Sequence, residues 1–326
     1  MNRGDRHEDI FLDAQDRQRF TQILAQACSK TGWQIHAFCL MRDHFQFVVE
    51  TPQPNLMTGM KWLLGTYTQQ FNKRRKLSGH VFGGRYRARL VDGSGDYLRA
   101  VCEQVHWSPV RENLVTPLEL MHSFAWSSVP LYLAPAHRRP PWLRVDRVMA
   151  QCGISPNDAA GGEKFIDCLQ TRGAHTDAAE LTLLKNSSGV GDAKFRQKLL
   201  ELASPGAGVD VRHSDLSAAT ASQATQANEI IEEELRRLGI AEDELIAKRK
   251  GNPDKIDIAL RLREQTTVTL TWIADRLRMG TTTHLAHLIY WRRRREREAR
   301  SVRPAAVATR PEPEPGDNLF FDPTFD

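Results

Sequence analysis

No stretch of the 326 residues approaches the roughly twenty consecutive apolar side chains that a membrane-spanning helix needs. The first residues are rich in Arg, Asp and His and carry no apolar leader, so a soluble, cytoplasmic protein without a membrane partner is expected. Cysteine is sparse. Cys28, Cys39, Cys102, Cys152 and Cys168 are odd in number, scattered, and include no C-x-x-C pair. That pattern argues against a disulfide framework or a structural zinc site and for a reducing compartment. What the chain does have is size and positive charge. With 40% apolar content it can bury a substantial core in more than one domain. The formal net charge of +5 understates its asymmetry, because basic residues cluster at Lys73, Arg74, Arg75 and Lys76, at Arg85, Arg87 and Arg89, and from Arg292 to Arg295. Any one cluster can be a solvated face; together they favour a polyanionic partner.

Local patterns give an order of elements. Asp13 is placed to cap a helix from about Ala14 to Lys30, with Phe20, Ile23, Leu24 and Ala27 at core-facing spacing and Gly32 as its stop. Trp33 to Met41 and His44 to Glu50 have strand composition and should form an antiparallel hairpin through Arg42 and Asp43. In the second strand Phe45, Phe47 and Val49 alternate with His44, Gln46 and Val48, which puts His44 and Gln46 on one face as a potential ligand pair. Asn55 should cap a helix reaching about Lys76. From His80 to Val91, alternation would place Arg85, Arg87 and Arg89 on one strand face and Tyr86, Ala88 and Leu90 on the other, an arrangement suited to tracking a nucleic-acid backbone. A third helix, Tyr97 to His106, should end before Ser108-Pro109. The sequence helix, hairpin, helix, strand, helix suggests an α+β domain with antiparallel sheet.

Pro130 to Pro141 reads as a linker, and short helices follow near 145–151, 163–172 and 194–202. Ala203 to Thr225 has loop composition. From Asn228 the pattern is all-α. Leu270 to Ile289 has helix-turn-helix grammar: Ala274 permits close helix approach, Gly280 makes the turn, and Thr282, Thr283 and His284 begin the second helix. An ordinary helical hairpin fits the same pattern, and the run containing Arg292 and Arg293 favours DNA. Residues 301–326, rich in Pro, Glu and Ala, read as a disordered tail in which Leu319-Phe320-Phe321 is at most a weak docking motif.

Several motifs in order resemble a known family: Arg3-Gly4-Asp5-Arg6 with Ile10-Phe11, Met41-Arg42-Asp43-His44-Phe45-Gln46, Gly59-Met60-Lys61-Trp62-Leu63, Phe71-Asn72, Gly84-Arg85-Tyr86 and Val105-His106-Trp107-Ser108-Pro109-Val110-Arg111. They look like the bacterial REP-associated tyrosine transposases of the HUH single-tyrosine transposase superfamily, over roughly the first 130 residues. The resemblance implies a ferredoxin-like antiparallel sheet with flanking helices over 1–130, and frequently a homodimer. It implies cleavage of single-stranded DNA beside hairpins by a tyrosine nucleophile and a divalent metal, Mg²⁺ or Mn²⁺. The remaining expected segments are a linker with short helices over 131–227, a DNA-binding helix-turn-helix region over 228–300, and the tail over 301–326.

The chain departs from that family at three places. Gln46 stands where the second metal-binding histidine is expected, which should weaken metal binding. Gln104 stands at the nucleophile position and has no ionisable oxygen. The opening strand is apparently missing. Tyr97 lies two helical turns before Gln104, displaced by about 10 Å along the helix, as a substitute nucleophile. The expected function is a DNA-binding protein of the transposase family that recognises single-stranded or hairpin DNA through Arg85, Arg87, Arg89, Arg111 and the Lys73–Lys76 cluster, its nicking impaired or lost. The alternative is an active transposase, a single-strand endonuclease of DNA transposition that uses His44, Gln46 and a substitute tyrosine.

Overall fold

The computed structural model describes residues 1–94, 96–116, 124–155, 160–173, 189–203 and 214–302. The expected tail beyond 302, including Leu319-Phe320-Phe321, and the 204–213 part of the expected loop lie outside the described residues. The chain divides into two compact units, Met1–Ile240 with Arg261–Thr269, and Ala241–Leu260 with Leu270 onward.

The first unit is α+β, as its alternating patterns imply. Helix α1 (Ala14–Thr31) begins where the Asp13 carboxylate accepts from Asp16 N–H at 3.0 Å and ends at left-handed Gly32. Strands β2 (Gln34–Leu40) and β3 (His44–Glu50) pair antiparallel, with Leu40 opposite Phe45 and Cys39 opposite Gln46. The sequence alone suggests that the opening strand is missing. The structure instead has a two-residue β1 (Asn2–Arg3) against the outer side of β3, with Arg3 opposite His44, giving the order β1-β3-β2. The hairpin turn is fixed because its carbonyls accept from elsewhere: Asp43 from Gly4 N–H at 2.7 Å, and Arg42 from Ile10 and Phe11.

Strand β2 is buried almost throughout, between helices on both faces. Phe45 packs with Phe20 of α1 (centroids 4.7 Å apart), and Phe20 meets Tyr67 of α2 (Leu56–Arg75) at 5.1 Å. Helix α3 (Tyr97–His106) packs against β2 and β3, burying Leu98, Cys102 and Val105. Two glycines of the family-like motifs have steric reasons. A Cβ on Gly4 would collide with the Glu8 carbonyl, and one on Gly59 would enter the Trp33 ring.

Several local expectations need correction. Asn55 does not cap α2 with its side chain; it accepts from Trp33 Nε1 and donates to the Thr31 carbonyl, both at 2.8 Å, fastening the two helix ends together. Residues 80–91 do not form one alternating strand. Phe82 makes a single bridge to Gly4, Gly83 N–H donates to Arg3 O, and Arg87 N–H to Met1 O, so the segment follows β1 by scattered main-chain bonds. Ala88 and Leu90 are consequently exposed together with the arginines, and only Leu90–Val91 forms a strand (β4), parallel to Gly189–Val190 (β5). Helix α3 ends at His106 as expected, but a separate helix α4 (Ser108–Arg111) follows, with Pro109 in its first turn, where its missing N–H costs nothing. The Pro-rich stretch 130–141 is no linker. Helix α5 (Val129–Leu133) buries Tyr132, whose hydroxyl donates to His36 O at 2.6 Å, and Ile35 N–H donates to Trp142 O. Cys152 and Cys168, whose sequence pattern argues against disulfides, form one because the end of α6 (Asp146–Gln151) meets the middle of α7 (Gly161–Gly173) and brings their Cα atoms to 6.3 Å. Residues 214–225, expected in a loop, lie within the helix α9 (Ser214–Leu238), which follows α8 (Ala193–Ala203).

The second unit is helical: α10 (Glu242–Ala247), the first part of α11 (Pro253–Gln265), α12 (Leu270–Arg276) and α13 (Thr282–Val302). Leu245, Ile258, Ala259, Ile273, Ala274, Leu277, Met279 and Leu285 are buried there. Among the described residues no helix is long and apolar enough to cross a membrane.

Candidate metal and nucleic-acid site

The Phe45 side of β3 faces α1, so strand alternation sends His44 and Gln46 to the face that α3 covers. His44 is 1% exposed. Its Nδ1 lies 2.7 Å from Asp43 Oδ1, while its Nε2 lies 3.1 Å from the Gln46 amide nitrogen and 3.5 Å from Glu112 Oε1. The tautomer follows from the partners. Nδ1–H donates to the Asp43 carboxylate, and Nε2 keeps a lone pair that accepts from the Gln46 amide. Burial disfavours ionisation of Asp43, yet the hydrogen bond from His44 and the charge of Arg3 outweigh it and hold its carboxyl below the usual carboxylate range. Arg3 Nε stands 3.3 Å from Asp43 Oδ2.

Asp43, His44 and Glu112 can bring one ligand atom each to within 4.8 Å of one another. Asp43 and Glu112 stand against opposite ring nitrogens, however. A cation on Nε2 would be held by His44 and Glu112, with Gln46 adding its amide oxygen once the amide turns over; Asp43 would orient the imidazole from behind. One imidazole with carboxylate and amide oxygens suits Mg²⁺ or Mn²⁺. The residues present therefore fit the metal that the sequence resemblance implies. Sequence reasoning missed Glu112. Its only local signal is an acidic residue directly after the Pro109-Val110-Arg111 motif, and the turn leaving α4 is what carries it to β3.

Gln104 is half-buried on α3, and its main-chain carbonyl accepts from Ser108 Oγ at 3.1 Å and from Arg111 Nη1 at 3.0 Å. Arg111 is thus exposed but turned toward the end of that helix. Tyr97 is half-buried at the first turn of α3, two turns from Gln104. Tyr67 and Tyr132 are buried and donate to the carbonyls of Ile10 and His36, and burial pushes both phenols up. Tyr86 is half-buried with its phenol also raised by burial, and Tyr290 belongs to the other unit.

The basic cluster at the end of α2 separates into two kinds. Arg74 and Arg75 are clamped on the carboxylates of Asp13 and Asp16 at 2.5–2.7 Å, which ties the end of α2 to the start of α1. Lys73 and Lys76 are exposed. Arg85, Arg87 and Arg89 are exposed along the segment that follows β1, and Gly83 of that segment bonds Arg3, the residue opposite His44. Two sheet spacings separate them, about 10 Å. In the second unit Thr282 Oγ1 contacts Thr271 Oγ1 at 3.3 Å, Thr283 and His284 are exposed, Arg292 pairs with Asp257 and Glu296, and Arg293 is exposed.

Fold and site together define a small α+β domain with a carboxylate-backed histidine at an antiparallel sheet and a basic edge beside it. Residues 5–106 match the family model described as Transposase IS200 like, which supports a transposase-family domain over that part of the first unit. The match covers well under half of the chain and stops short of Glu112. No curated protein and no solved structure matches the chain.

Proposed function

We propose that the chain is a DNA-binding protein of the transposase family, of the REP-associated HUH type, that recognises single-stranded or hairpin DNA in the cytoplasm without forming a covalent tyrosine link. The observation that carries this reading is Gln104. An amide cannot attack phosphorus and remain as a phosphodiester partner, because it has no ionisable oxygen. The other tyrosines offer no replacement near it: Tyr67 and Tyr132 are committed to main-chain bonds inside the core, and Tyr97 is displaced along α3. The metal corner is retained in altered form, with Glu112 supplying the charge that a second histidine would not. A bound Mg²⁺ or Mn²⁺ supplies Lewis-acid contact to a phosphate oxygen. His44 and Glu112 would hold that ion, Asp43 would fix the ring, and Arg85, Arg87, Arg89, Lys73 and Lys76 would track the DNA backbone beside it.

The test is incubation of the purified full chain with labelled hairpin DNA bearing a single-stranded flank, with Mn²⁺, read on native and denaturing gels. A shift without a denaturant-resistant adduct is expected. The binding constant on single strands should fall with salt by about 0.7 log units per log unit for each phosphate neutralised. A covalent adduct overturns the reading, and its loss in Tyr97→Phe would establish the active-transposase alternative instead.

A further inference from the structure

The second unit contains a surface that the metal corner and its basic edge leave unused. Helices α12 and α13 are joined by a tight turn in which Met279 N–H donates to Ala274 O at 2.8 Å, Arg278 and Gly280 are left-handed, and Thr281 Oγ1 accepts from His284 N–H at 3.2 Å. Leu277, Met279, Leu285 and Ile289 fill the angle between the helices, so α13 is held by one side only. Its other side is open. His284, His287, Trp291, Arg294 and Arg295 recur at i, i+3, i+7, i+10 and i+11, all exposed. They form a stripe about 15 Å long, enough to lie across a major groove about 12 Å wide. Trp291 Nε1 donates to His287 Nε2 at 2.7 Å and the Arg294 guanidinium sits 5.1 Å over the Trp291 ring, which stiffens the middle of the stripe.

A second, independent feature converges on the same end of α13. The loop between α10 and α11 carries Lys248, Arg249 and Lys250. Lys248 is paired with Asp254 at 3.0 Å, whereas Arg249 and Lys250 are exposed and make no ion pair among the described residues. The Lys250 side chain lies over the turn, its Nζ 3.5 Å from where a Cβ on Gly280 would stand. Arg278 is exposed on that turn and is likewise without an ion pair among the described residues. Lys250 and Arg278 therefore lie at the turn that opens α13, Arg249 is next to Lys250 in its loop, and Thr283 and His284 are exposed in the first turn of the helix. By contrast the acidic groups Glu242, Asp254 and Asp257 are occupied by Arg276, Lys248 and Arg292. Asp243 and Glu244 of α10 and Asp275 of α12 are exposed without an ion pair among the described residues, but at the turn itself Lys250 and Arg278, with Arg249 next in the loop, outnumber Asp275, an excess complementary to a phosphate backbone.

We propose that this unit docks on double-stranded DNA, with the first turns of α13 in the major groove and Arg249, Lys250 and Arg278 on the flanking phosphates. Arg292, which sequence pattern alone places among the DNA contacts, is a structural residue on Asp257. Duplex docking of this kind does not depend on what residues 1–116 bind.

The experiment uses the full chain and a fluorescent blunt duplex of mixed sequence, three helical turns long, titrated by anisotropy over a series of salt concentrations. The double variant Arg249→Glu/Lys250→Glu should weaken duplex binding at least about ten-fold and make the salt slope shallower by about 2, one for each phosphate no longer neutralised. Its binding to a single-stranded oligonucleotide and its melting should remain those of the parent. Arg292→Ala should leave the slope unchanged. Trp291→Ala should weaken duplex binding without altering the oligomeric state measured by sedimentation. Absence of duplex binding by the parent, an unchanged slope in the double variant, or a Trp291→Ala chain that only changes its oligomeric state would each overturn the proposal. Hairpin binding that persists in such a case leaves the first unit's function standing.

Discussion

Two glycines of the same helix should respond oppositely to alanine. Gly59 and Gly65 both lie inside α2, where Gly is worse than Ala by about 1 kcal/mol for want of backbone restriction. At Gly65 a new Cβ meets nothing within 4 Å, so Gly65→Ala should stabilise the first unit by about 0.5–1 kcal/mol. At Gly59 the Cβ would stand inside the Trp33 ring, with Cε2 only 2.9 Å away. The indole cannot step aside cheaply. It is 1% exposed and donates to Asn55 at 2.8 Å, and Asn55 in turn holds Thr31 O. Overpacking of this kind costs about 1–3 kcal/mol. Loss of the buried indole bond adds about 1 kcal/mol. Set against the propensity gain, Gly59→Ala should destabilise by about 1–3 kcal/mol. Urea-dependent hydrogen exchange of peptides from α2 reads the first unit alone and separates the two variants by sign. Equal or greater protection in Gly59→Ala than in Gly65→Ala would refute the argument that Trp33 packs on bare backbone.

Three further expectations concern the site and its supports. Glu112→Gln and Asp43→Asn should each weaken Mn²⁺ binding about 10–100-fold, one by losing a ligand charge and the other by releasing the His44 ring; titration of the metal by calorimetry checks both, and unchanged affinity in either removes that residue from the site. Burial lowers the His106 pKa to about 3, its Nε2 resting 2.8 Å from Ser128 Oγ. Its contribution is complete above the unfolded value near 6.5 and fades as pH falls toward 3, costing about 1 kcal/mol per pH unit, a slope that His106→Gln should flatten in acid-unfolding curves. The Arg74 hydrogen bond, helped by the Asp16 N–H and then by Arg75, outweighs desolvation and holds Asp13 below the usual carboxylate range. The clamp between α1 and α2 is therefore intact above about pH 4 and weakens as pH falls, and Asp13→Asn should remove that acid sensitivity from exchange in the first turn of α1.

What was legible in the sequence is what short-range chemistry specifies. Asp13 and Gly32 bracket α1 within its own segment, and the alternation around Phe45 sets the two faces of β3 whatever packs there. The misreadings share a different cause. Arg74 and Arg75 look like part of a basic patch because their carboxylate partners lie far back along the chain. Residues 80–91 alternate like a strand, but they accompany β1 by main-chain bonds near Gly83 and Gly84, where alternation does not decide burial. Glu112 has no motif of its own and gains meaning only from the fold that sets it beside His44. Cys152 and Cys168 meet for the same kind of reason, through the packing of one helix end on the middle of another.

The two sides of the His44 corner also belong to separate pieces of the fold: His44 and Gln46 to a strand in the sheet, Glu112 to the chain leaving α4. A cation held by both is a clasp, and every clasp that closes only on the folded form draws the equilibrium toward it. At a free concentration a hundred times its dissociation constant, such an ion adds about 2.7 kcal/mol to the stability of the closed form. Under the proposed function such an ion would act as a fastener between the sheet and its helical cover, a role separate from any part in strand cleavage.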